Sequence, residues 1–190
     1  MTPNLASYFR FFHAGVVKHA QTGAFVPSQR FLVQKMIAPV PKTYSGRIVE
    51  LGAGSGALTV RLAARCPAAR ILACEINPAL ARDNRHNLVV AGLENRVNLV
   101  CEAAEHLLPK FHGEKRVDFV ISGIPLGNLD RDRTCKLLDA IHAALAPGGL
   151  YIQFQYSLLD RKKIRSRFRR LRILPVFFNL PPAMIYYAQR

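Results

Sequence analysis

The sequence lacks several features that would assign the chain to a common class. Its four cysteines show no C-x-x-C pairing, which argues against a zinc site or a disulfide framework and suits a reducing cytoplasm. No apolar run approaches the roughly 20 residues that a bilayer-spanning helix needs. Charged residues and histidines interrupt the apolar part of the N-terminus, so no signal peptide is expected. The 190 residues, 50% of them hydrophobic, predict one domain with its own core.

Acidic residues are missing from both flanks of the chain. No Asp or Glu occurs before Glu50 or after Asp160, whereas residues 1–49 hold six Lys or Arg and residues 161–190 hold nine. The middle holds twelve basic residues against twelve acids, so the flanks carry the whole net charge of +15. This distribution predicts a polyanionic partner, either nucleic acid or an anionic membrane surface. A solvated charged face is the alternative, although it would normally mix both signs.

Three glycines at alternate positions stand in the stretch VELGAGSGALT at residues 49–59. The residues before them predict a buried strand, and the residues after them predict a helix. Gly52, Gly54 and Gly56 are therefore expected to form a tight turn over which a cofactor can lie, because glycine has no Cβ. A glycine-rich turn without a ligand is the alternative, since such motifs occur in many contexts.

The spacing of the glycines, together with one acid before them, indicates the kind of cofactor. G-A-G-S-G matches neither G-x-G-x-x-G nor G-x-x-x-x-G-K-[ST], and no lysine follows to hold phosphates. Glu50 precedes the first glycine by two positions. This carboxylate would repel a pyrophosphate and attract a ligand with a positive amino group. S-adenosylmethionine (SAM) carries an amino group and a sulfonium, so the loop favours SAM.

Two further acids stand where predicted strands end. Glu75 ends the strand of residues 71–75, about 20 residues beyond the glycines, where such folds bind ribose hydroxyls. Glu102 follows the strand of residues 97–101. Each acid alone could be an ordinary surface residue. Because each lies at a predicted strand end, together they favour a binding site.

VELGAGSG and ILACEINPAL resemble the first two motifs of Rossmann-type SAM-dependent methyltransferases. In that class an acid in the place of Glu102 meets the adenine amino group, although Asp is more common there. The cofactor-binding residues that this resemblance implies are Ser28, Glu50, Leu51, Gly52, Ala53, Gly54, Gly56, Glu75, Ile76, Glu102, Ala103 and Ser122. No metal is expected.

Strands that alternate with helices predict an α/β fold with a doubly wound parallel sheet. A hairpin at the C-terminal end of the chain adds antiparallel pairing, which matches the seven-stranded, Rossmann-like methyltransferase sheet. The predicted strands are residues 47–51, 71–75, 97–101, 116–122, 150–154, 171–178 and 183–188, and the predicted helices are 57–64, 78–91, 130–145 and 160–170. Residues 1–46 are expected to form an amphipathic helix and a cofactor-covering segment, and residues 47–190 the methyltransferase domain.

The stretch SGIPL at residues 122–126 follows the fourth predicted strand, on the side of the sheet where such folds bind ligands. It resembles the N/D/S-P-P-Y/F turn of amino-methyltransferases, whose carbonyls and first side chain accept hydrogen bonds from a target nitrogen. The catalytic residues that this implies are Ser122, Gly123, Ile124 and Pro125. The aromatic residue that stacks on a nucleobase in adenine methylases is missing, which favours a small aliphatic amine. A simple proline turn is the alternative.

Four stretches together resemble the bacterial phospholipid N-methyltransferase family. They are TGAFVPSQRFLVQKM at 22–36, VELGAGSGALT at 49–59, SGIPL at 122–126 and NLPPAMIYY at 179–187. The resemblance covers nearly the whole chain, and NLPPA is its most specific motif. Departures from the family pattern are mild and concern the headgroup more than the family: Thr22 for Val, Gln29 for Ser, Ser55 for Thr and Ile124 for Leu.

Asn179, the first residue of the NLPP turn, is the fifth candidate catalytic residue. A sixth strand parallel to the sheet would bring this turn to the same crevice as SGIP, where the Asn179 amide could bind a headgroup. Capping of the turn is the alternative role.

The N-terminal residues predict a helix with an aromatic stripe and basic residues opposite. The stripe consists of Leu5, Tyr8, Phe9, Phe12 and Val16, and the opposite side holds Arg10 and Lys18. This arrangement is typical of an interfacial membrane helix. A lid over the active site is an equal alternative, and both roles are compatible.

The chain is thus expected to be a SAM-dependent N-methyltransferase of an amino-lipid, with phosphatidylethanolamine as the first candidate. The alternatives are an rRNA adenine N6-methyltransferase, an N-methyltransferase of another amino-lipid such as ornithine lipid, and a basic adaptor with a vestigial fold. The expected location is cytoplasmic, at the inner membrane. The expected chemistry is an SN2-like displacement at the sulfonium methyl, for which the enzyme aligns amine and methyl carbon and excludes water. Water, a substrate phosphate oxygen or a tyrosine could take the amine proton.

Overall fold

The computed structural model describes residues 27–177 and 182–190, which form one seven-stranded sheet and six α-helices. The strands are β1 (Arg47–Leu51), β2 (Arg70–Cys74), β3 (Val97–Val100), β4 (Val117–Ser122), β5 (Leu145–Gln155), β6 (Arg170–Val176) and β7 (Ala183–Gln189). The helices are α1 (Pro27–Ile37), α2 (Ala57–Arg65), α3 (Pro78–Val90), α4 (Ala104–Leu107), α5 (Arg131–Ala144) and α6 (Arg161–Arg165). None of the helices in the described ranges is long and apolar enough to cross a membrane.

The strand order is β3-β2-β1-β4-β5-β7-β6, which confirms the predicted seven-stranded methyltransferase sheet. Strands β1 to β5 run parallel, and β7 is antiparallel to both of its neighbours, β5 and β6. Strand β6 is therefore parallel to β1, as predicted. All strands except β7 end at one edge of the sheet, which we call the carboxyl edge.

The two faces of the sheet bury two separate cores because successive side chains of a strand point to opposite faces. Ile48 of β1 belongs to one core, together with side chains of α1, α2 and α3. Its neighbour Val49 belongs to the other core, together with α4 and α5. Helices thus cover both faces, and among residues 27–177 and 182–190 no helix lies across the carboxyl edge at the centre of the sheet.

Two of the predicted segments differ from the structure by five residues at one end. The predicted helix over residues 160–170 is only Arg161–Arg165, because arginines at 161, 165 and 169 would repel at i, i+4 spacing while Phe168 turns inward. Strand β5 begins at Leu145 rather than Leu150 and therefore includes the Pro-Gly-Gly segment that was expected to be a turn. The pairing of β4 with β5 shifts register at this segment. Gly148 allows this with a φ of +79°.

Helix α1 was not foreseen, although Pro27 suits its first position. Leu32, Val33 and Met36 of this helix are buried, and Tyr187 of β7 donates its hydroxyl to the carbonyl of Lys35 at 2.7 Å. Helix α1, which precedes strand β1 in the chain, thus packs against the sheet. The amphipathic helix expected near the start of the chain lies outside the described residues, and the division at 46/47 stays a prediction.

Candidate active site

The glycine loop joins β1 to α2 at the carboxyl edge. Its three glycines all have positive φ, at +69° for Gly52, +55° for Gly54 and +94° for Gly56. The N–H groups of Gly52 and Ala53 both donate to the carbonyl of Cys74 at 2.9 Å, which fastens the loop to the end of β2. Apart from Gly54 itself and its two chain neighbours, no heavy atom of the described residues lies within 4 Å of the place that a Cβ on Gly54 would take. The loop therefore leaves open space beside Gly54 for a ligand.

Glu75 holds this loop from the next strand end. One of its carboxylate oxygens accepts the Gly54 N–H at 2.8 Å, and the other accepts the Asn77 N–H at 2.9 Å. Asn77 in turn caps α3, since its side chain accepts the N–H groups of Ala79 and Leu80. The predicted ribose ligand thus also links the glycine loop to α3.

Two asparagines that sequence reasoning missed bind the other side of the loop. Asn84 of α3 is fully buried and donates to the carbonyl of Gly54 at 3.3 Å, and Asn87 donates to the carbonyl of Ser55 at 2.9 Å. A Cβ on Gly56 would lie 2.4 Å from Asn84 Oδ1, so the glycine makes room for this amide. The available signal was two asparagines at i, i+3 spacing on the helix after the second motif.

Glu50 carries an ionisable group that the fold leaves incompletely paired. Its side chain is 2% exposed, and its Oε2 has no hydrogen-bond partner among the described residues. The pKa of Glu50 is raised to about 8, chiefly by burial; a hydrogen bond from Thr59 lowers it, and the charge of Glu75 makes a smaller contribution that raises it. A cationic group that reaches Glu50 would favour loss of its proton and would give the resulting carboxylate a partner.

A cavity of about 310 Å³ opens over the glycine loop. The predicted site residues that line it are Glu50, Gly52, Ala53, Gly54, Glu75, Ile76, Glu102, Ala103, Gly123, Ile124 and Pro125. Leu51, Gly56 and Ser122 support the lining from behind and do not face the cavity. The side chain of Ser28 and the whole of Asn179 lie outside the described residues.

One end of the cavity has a rim suited to a flat, amino-bearing ring. Ile76 leaves 69% of its surface exposed at this rim. Glu102 lies beside it and pairs with Lys110 at 2.7 Å, where the lysine side chain is 58% exposed. Exposed pairs of this kind contribute about 0–1 kcal/mol, so the Lys110 ammonium can leave Glu102 at little cost. Glu102 is thus available to an adenine amino group, as the resemblance implies.

The acceptor turn, residues 122–125, packs directly against the glycine loop. The Gly123 N–H donates to the carbonyl of Leu51 at 2.8 Å, and a Cβ on Gly123 would lie 2.8 Å from the carbonyl oxygen of Gly52. Ser122 is fully buried, and its hydroxyl oxygen accepts the Ile124 N–H at 3.2 Å. The Ser122 hydroxyl therefore shapes the turn from inside, while Gly123, Ile124 and Pro125 face the cavity.

A buried polar pair behind the acceptor turn was also missed. Gln153 of β5 is fully buried and donates to the carbonyls of Ile124 at 2.9 Å and Phe154 at 2.6 Å. The hydroxyl of Tyr151 donates to Gln153 Oε1 at 2.7 Å. Burial raises the pKa of Tyr151, which does not face the cavity, so this phenol orients Gln153 and takes no proton from a substrate. The signal in the sequence was the position of Gln153 between the apolar residues Ile152 and Phe154 of β5.

Comparison with known proteins agrees with this geometry. A sequence profile described as a methyltransferase domain matches residues 48–149, more than half of the chain. The chain belongs to this family. It is therefore a SAM-dependent methyltransferase, as predicted.

Two relatives that the chain resembles in sequence differ in the acceptor that they methylate. The chain is 29% identical, over 87% of its length and 87% of theirs, to an ornithine lipid N-methyltransferase of Singulisphaera acidiphila. It is 28% identical, over 56% of its length and 51% of theirs, to a tRNA1(Val) (adenine(37)-N6)-methyltransferase of Shewanella baltica. The amino-lipid relative thus matches along most of both chains, and the tRNA relative over about half.

A solved structure shares the fold. It is a precorrin-6y C5,15-methyltransferase from Geobacter metallireducens, with a TM-score of 0.69, 18% identity and coverage of 83% of this chain and 88% of the other. At this identity the likeness concerns the fold alone.

The residues of the cavity fit SAM. Glu50 Oε2, which has no partner in the described part of the chain, offers a buried acceptor to the amino group of the methionine part. The open space at Gly54 gives room beside the loop, and Glu75 lies next to it. Within the described ranges no cluster of His, Cys, Asp and Glu could hold a metal ion.

Proposed function

We propose that this enzyme methylates the amino headgroup of a membrane lipid, with phosphatidylethanolamine and ornithine lipid as the two candidate substrates. The observation that carries the proposal is the acceptor turn. Gly123, Ile124 and Pro125 face the cavity beside the glycine loop, with Phe154 and Leu129 lining it as well. These apolar side chains suit a small aliphatic amine in its neutral, reactive form. The similarity to an ornithine lipid N-methyltransferase over 87% of both chains supports this class of substrate.

The residues of the chain contribute alignment more than acid–base chemistry. SAM, when bound, supplies an electrophilic methyl group on a sulfonium. Gln153 fixes the carbonyl of Ile124, and Leu51 fixes the N–H of Gly123, so the turn is already shaped before an amine arrives. Holding an amine and its target in line is worth several kcal/mol of the barrier.

The amine must lose a proton before it attacks. Gly123, Ile124 and Pro125 of the acceptor turn, and the apolar cavity residues Leu129 and Phe154, carry no titratable side chain. Of the cavity acids, Glu50, Glu75 and Glu102 are taken by the proposed cofactor contacts, and Glu105 pairs with Arg133. We therefore assign the proton acceptor to water or to an oxygen of the lipid headgroup itself. Turnover is then expected to rise with pH as the fraction of neutral amine rises.

Transfer of a labelled methyl group from SAM tests the proposal. We expect label in vesicles that contain phosphatidylethanolamine or ornithine lipid, and none in ribosomal RNA or tRNA. The two lipids are supplied in separate arms, so that the headgroup is identified in the same experiment. Mass spectrometry of the products counts the methyl groups added. Label in RNA and in neither lipid would overturn the proposal.

RNA adenine methylation is the second candidate function. The similarity to a tRNA adenine methyltransferase and the net charge of +15 favour it. Both observations concern features that a lipid enzyme shares, since the match covers about half of each chain and a polycation also binds anionic membranes. The labelling experiment therefore decides between the two, whereas binding at low salt would not.

Gln153→Leu tests whether the acceptor turn acts in transfer rather than in cofactor binding. The variant removes the hydrogen bond to the Ile124 carbonyl and frees the turn, so we expect kcat to fall by about tenfold or more. The dissociation constant for SAM is expected to stay within about threefold, because the glycine loop keeps its own contacts with Cys74 and Glu75. Gln189→Leu is the matched control, since this β7 glutamine donates its side-chain hydrogen bond to the carbonyl of Gly148, and neither residue lines the cavity. Equal losses of kcat and of SAM affinity would contradict the assignment.

We further propose that the basic flanks bring the enzyme to an anionic membrane surface, on the cytoplasmic side of the inner membrane. The supporting observation is the confinement of the excess charge to residues 1–49 and 161–190. Basic residues near an anionic leaflet contribute about 1 kcal/mol each.

A further inference from the structure

Large exposed apolar side chains are few in the described part of the chain, and half of them gather in one place. The six are Ile76, Val89, Val90, Leu158, Leu159 and Phe177. Leu158, Leu159 and Phe177 are 48%, 75% and 73% exposed and all follow strand ends at the carboxyl edge. We call these three side chains the apolar lip.

Sheet register brings the lip together. Gln155 at the end of β5 pairs with Met184, and Val176 at the end of β6 pairs with Ala183, so both ends flank the start of β7. Strands in a sheet are spaced about 4.8 Å apart, which places the β5 and β6 ends within about 10 Å. The acceptor turn follows β4, whose last residue, Ser122, pairs with Gln153 of β5. The lip thus begins one strand away from the acceptor turn.

The loop that carries Leu158 and Leu159 is held in place. The hydroxyl of Tyr186 donates to the carbonyl of Ser157 at 2.8 Å. Asp160 is 3% exposed and accepts hydrogen bonds from Gln155 at 3.2 Å and from Lys163 at 2.8 Å. The two leucines therefore project from a fixed turn and are not the end of a frayed segment.

Cations border the lip on the side of α6. Arg161, Lys162 and Arg165 are exposed, and no acid follows the buried Asp160 in the sequence. Apolar side chains flanked by exposed cations are the pattern by which peripheral proteins enter the headgroup region of an anionic bilayer. A protein partner would also accept apolar side chains, but it would meet this cluster of positive charge only with a matching acidic face.

We propose that the apolar lip inserts into the interface of an anionic bilayer and turns the cavity mouth toward the lipid headgroups. The inference rests on the proposed function for its purpose, since a lipid amine could then reach the acceptor turn from within the leaflet. It assigns the docking surface to Leu158, Leu159 and Phe177 at the carboxyl edge of the catalytic sheet.

The test compares two double variants of the full chain. Leu158→Asp with Leu159→Asp removes two members of the lip. Val89→Asp with Val90→Asp is the matched control, because these valines are 61% and 74% exposed at the end of α3, at the opposite edge of the sheet. Sedimentation with vesicles of phosphatidylglycerol and phosphatidylethanolamine is measured at about 150 mM salt, where screening weakens purely electrostatic binding.

We expect the lip variant to bind vesicles at least about tenfold more weakly than the unaltered chain, and the control to stay within about twofold. Phe177→Asp alone is expected to give a smaller loss in the same direction. Binding of the lip variant equal to that of the control would overturn the proposal. A lower melting temperature than the control, with lost activity on a short-chain, monomeric amino-lipid, would also overturn it, because the lip would then be an internal contact. A dimer of the unaltered chain that the lip variant alone fails to form would assign the lip to a second copy instead.

The experiments can refute the proposed function while the lip proposal stands, and they can refute the lip proposal while the proposed function stands. Vesicle binding is read without any methyl transfer, so absence of lipid methylation by the unaltered chain would refute the function alone. If the unaltered chain methylates lipid in vesicles and the lip variant does so equally well, the lip proposal is refuted and the function stands.

Discussion

Glu75→Ala is expected to weaken the binding of SAM by at least about 100-fold. The Glu75 carboxylate accepts the N–H groups of Gly54 and Asn77 at 2.8 and 2.9 Å, and it lies in the wall of the cavity. Hydrogen bonds to a charged group contribute about 1.5–3 kcal/mol each, so loss of two corresponds to roughly 10² to 10⁴ in affinity if the loop must be ordered to bind. The cofactor additionally loses its expected ribose ligand.

Isothermal titration calorimetry with SAM and with its demethylated product measures this effect. Asp83→Ala is the control, because Asp83 is an exposed acid on α3, the helix that follows Glu75, and it does not line the cavity. Glu75→Gln should fall between the two, since its amide oxygen can accept one of the two N–H groups while its NH₂ group opposes the other. An affinity for SAM within about threefold of the unaltered chain in Glu75→Ala would show that this carboxylate holds neither loop nor cofactor.

The sequence predicted the sheet well because its parallel strands are buried on both faces and read as short apolar runs. Strand β1 has the predicted bounds, Arg47–Leu51, and β4 differs from its prediction by one residue. Local patterns were less informative where tertiary packing competes with them. Strand β5 takes in a Pro-Gly-Gly turn, and the helix expected over 160–170 shrinks to five residues.

The residues of the site likewise fall into those that local sequence patterns indicate and those that only the fold brings together. The glycines and the three acids could be found because each stands next to a strand end that the sequence marks. Asn84, which binds a residue 30 positions earlier, and Gln153, which binds one 29 positions earlier, act only through the fold. Ser122 shows the converse, since the motif suggested a hydroxyl offered to the substrate and the structure buries it within the turn.

Glu50 makes SAM binding depend on pH with a defined sign. The ordinary pKa of this carboxyl is 4.5, and burial raises it to about 8, so the cofactor-free enzyme holds a proton there at pH 7. An ammonium group beside Glu50 favours the carboxylate and lowers the pKa in the complex. Binding at pH 7 should therefore release on the order of one proton, and affinity should rise with pH up to about 8.

Stability of the cofactor-free enzyme should move in the opposite direction. Between pH 4.5 and 8 the unfolded chain has lost the Glu50 proton while the folded chain keeps it, so the folded state binds more protons. Stability then falls as pH rises through this window, by roughly 3 to 5 kcal/mol from this group. Below pH 4.5 Glu50 is protonated in both the folded and the unfolded state, so it no longer changes stability with pH.

Glu50→Gln separates the contribution of this carboxyl from every other titration. The difference in melting temperature, variant minus unaltered chain, is expected to be more positive at pH 8 than at pH 5. We also expect the variant to bind SAM more weakly than the unaltered chain at pH 8. Calorimetry in buffers of different ionisation enthalpy counts the protons released, and the variant should release about one fewer at pH 7. At pH 7 the amino group of free SAM is already mostly protonated, since α-amino groups have pKa values of about 7.7–8.0, so the difference in proton release between the two proteins comes mainly from Glu50. Equal proton release by the two proteins would show that Glu50 is not the group that receives the ammonium.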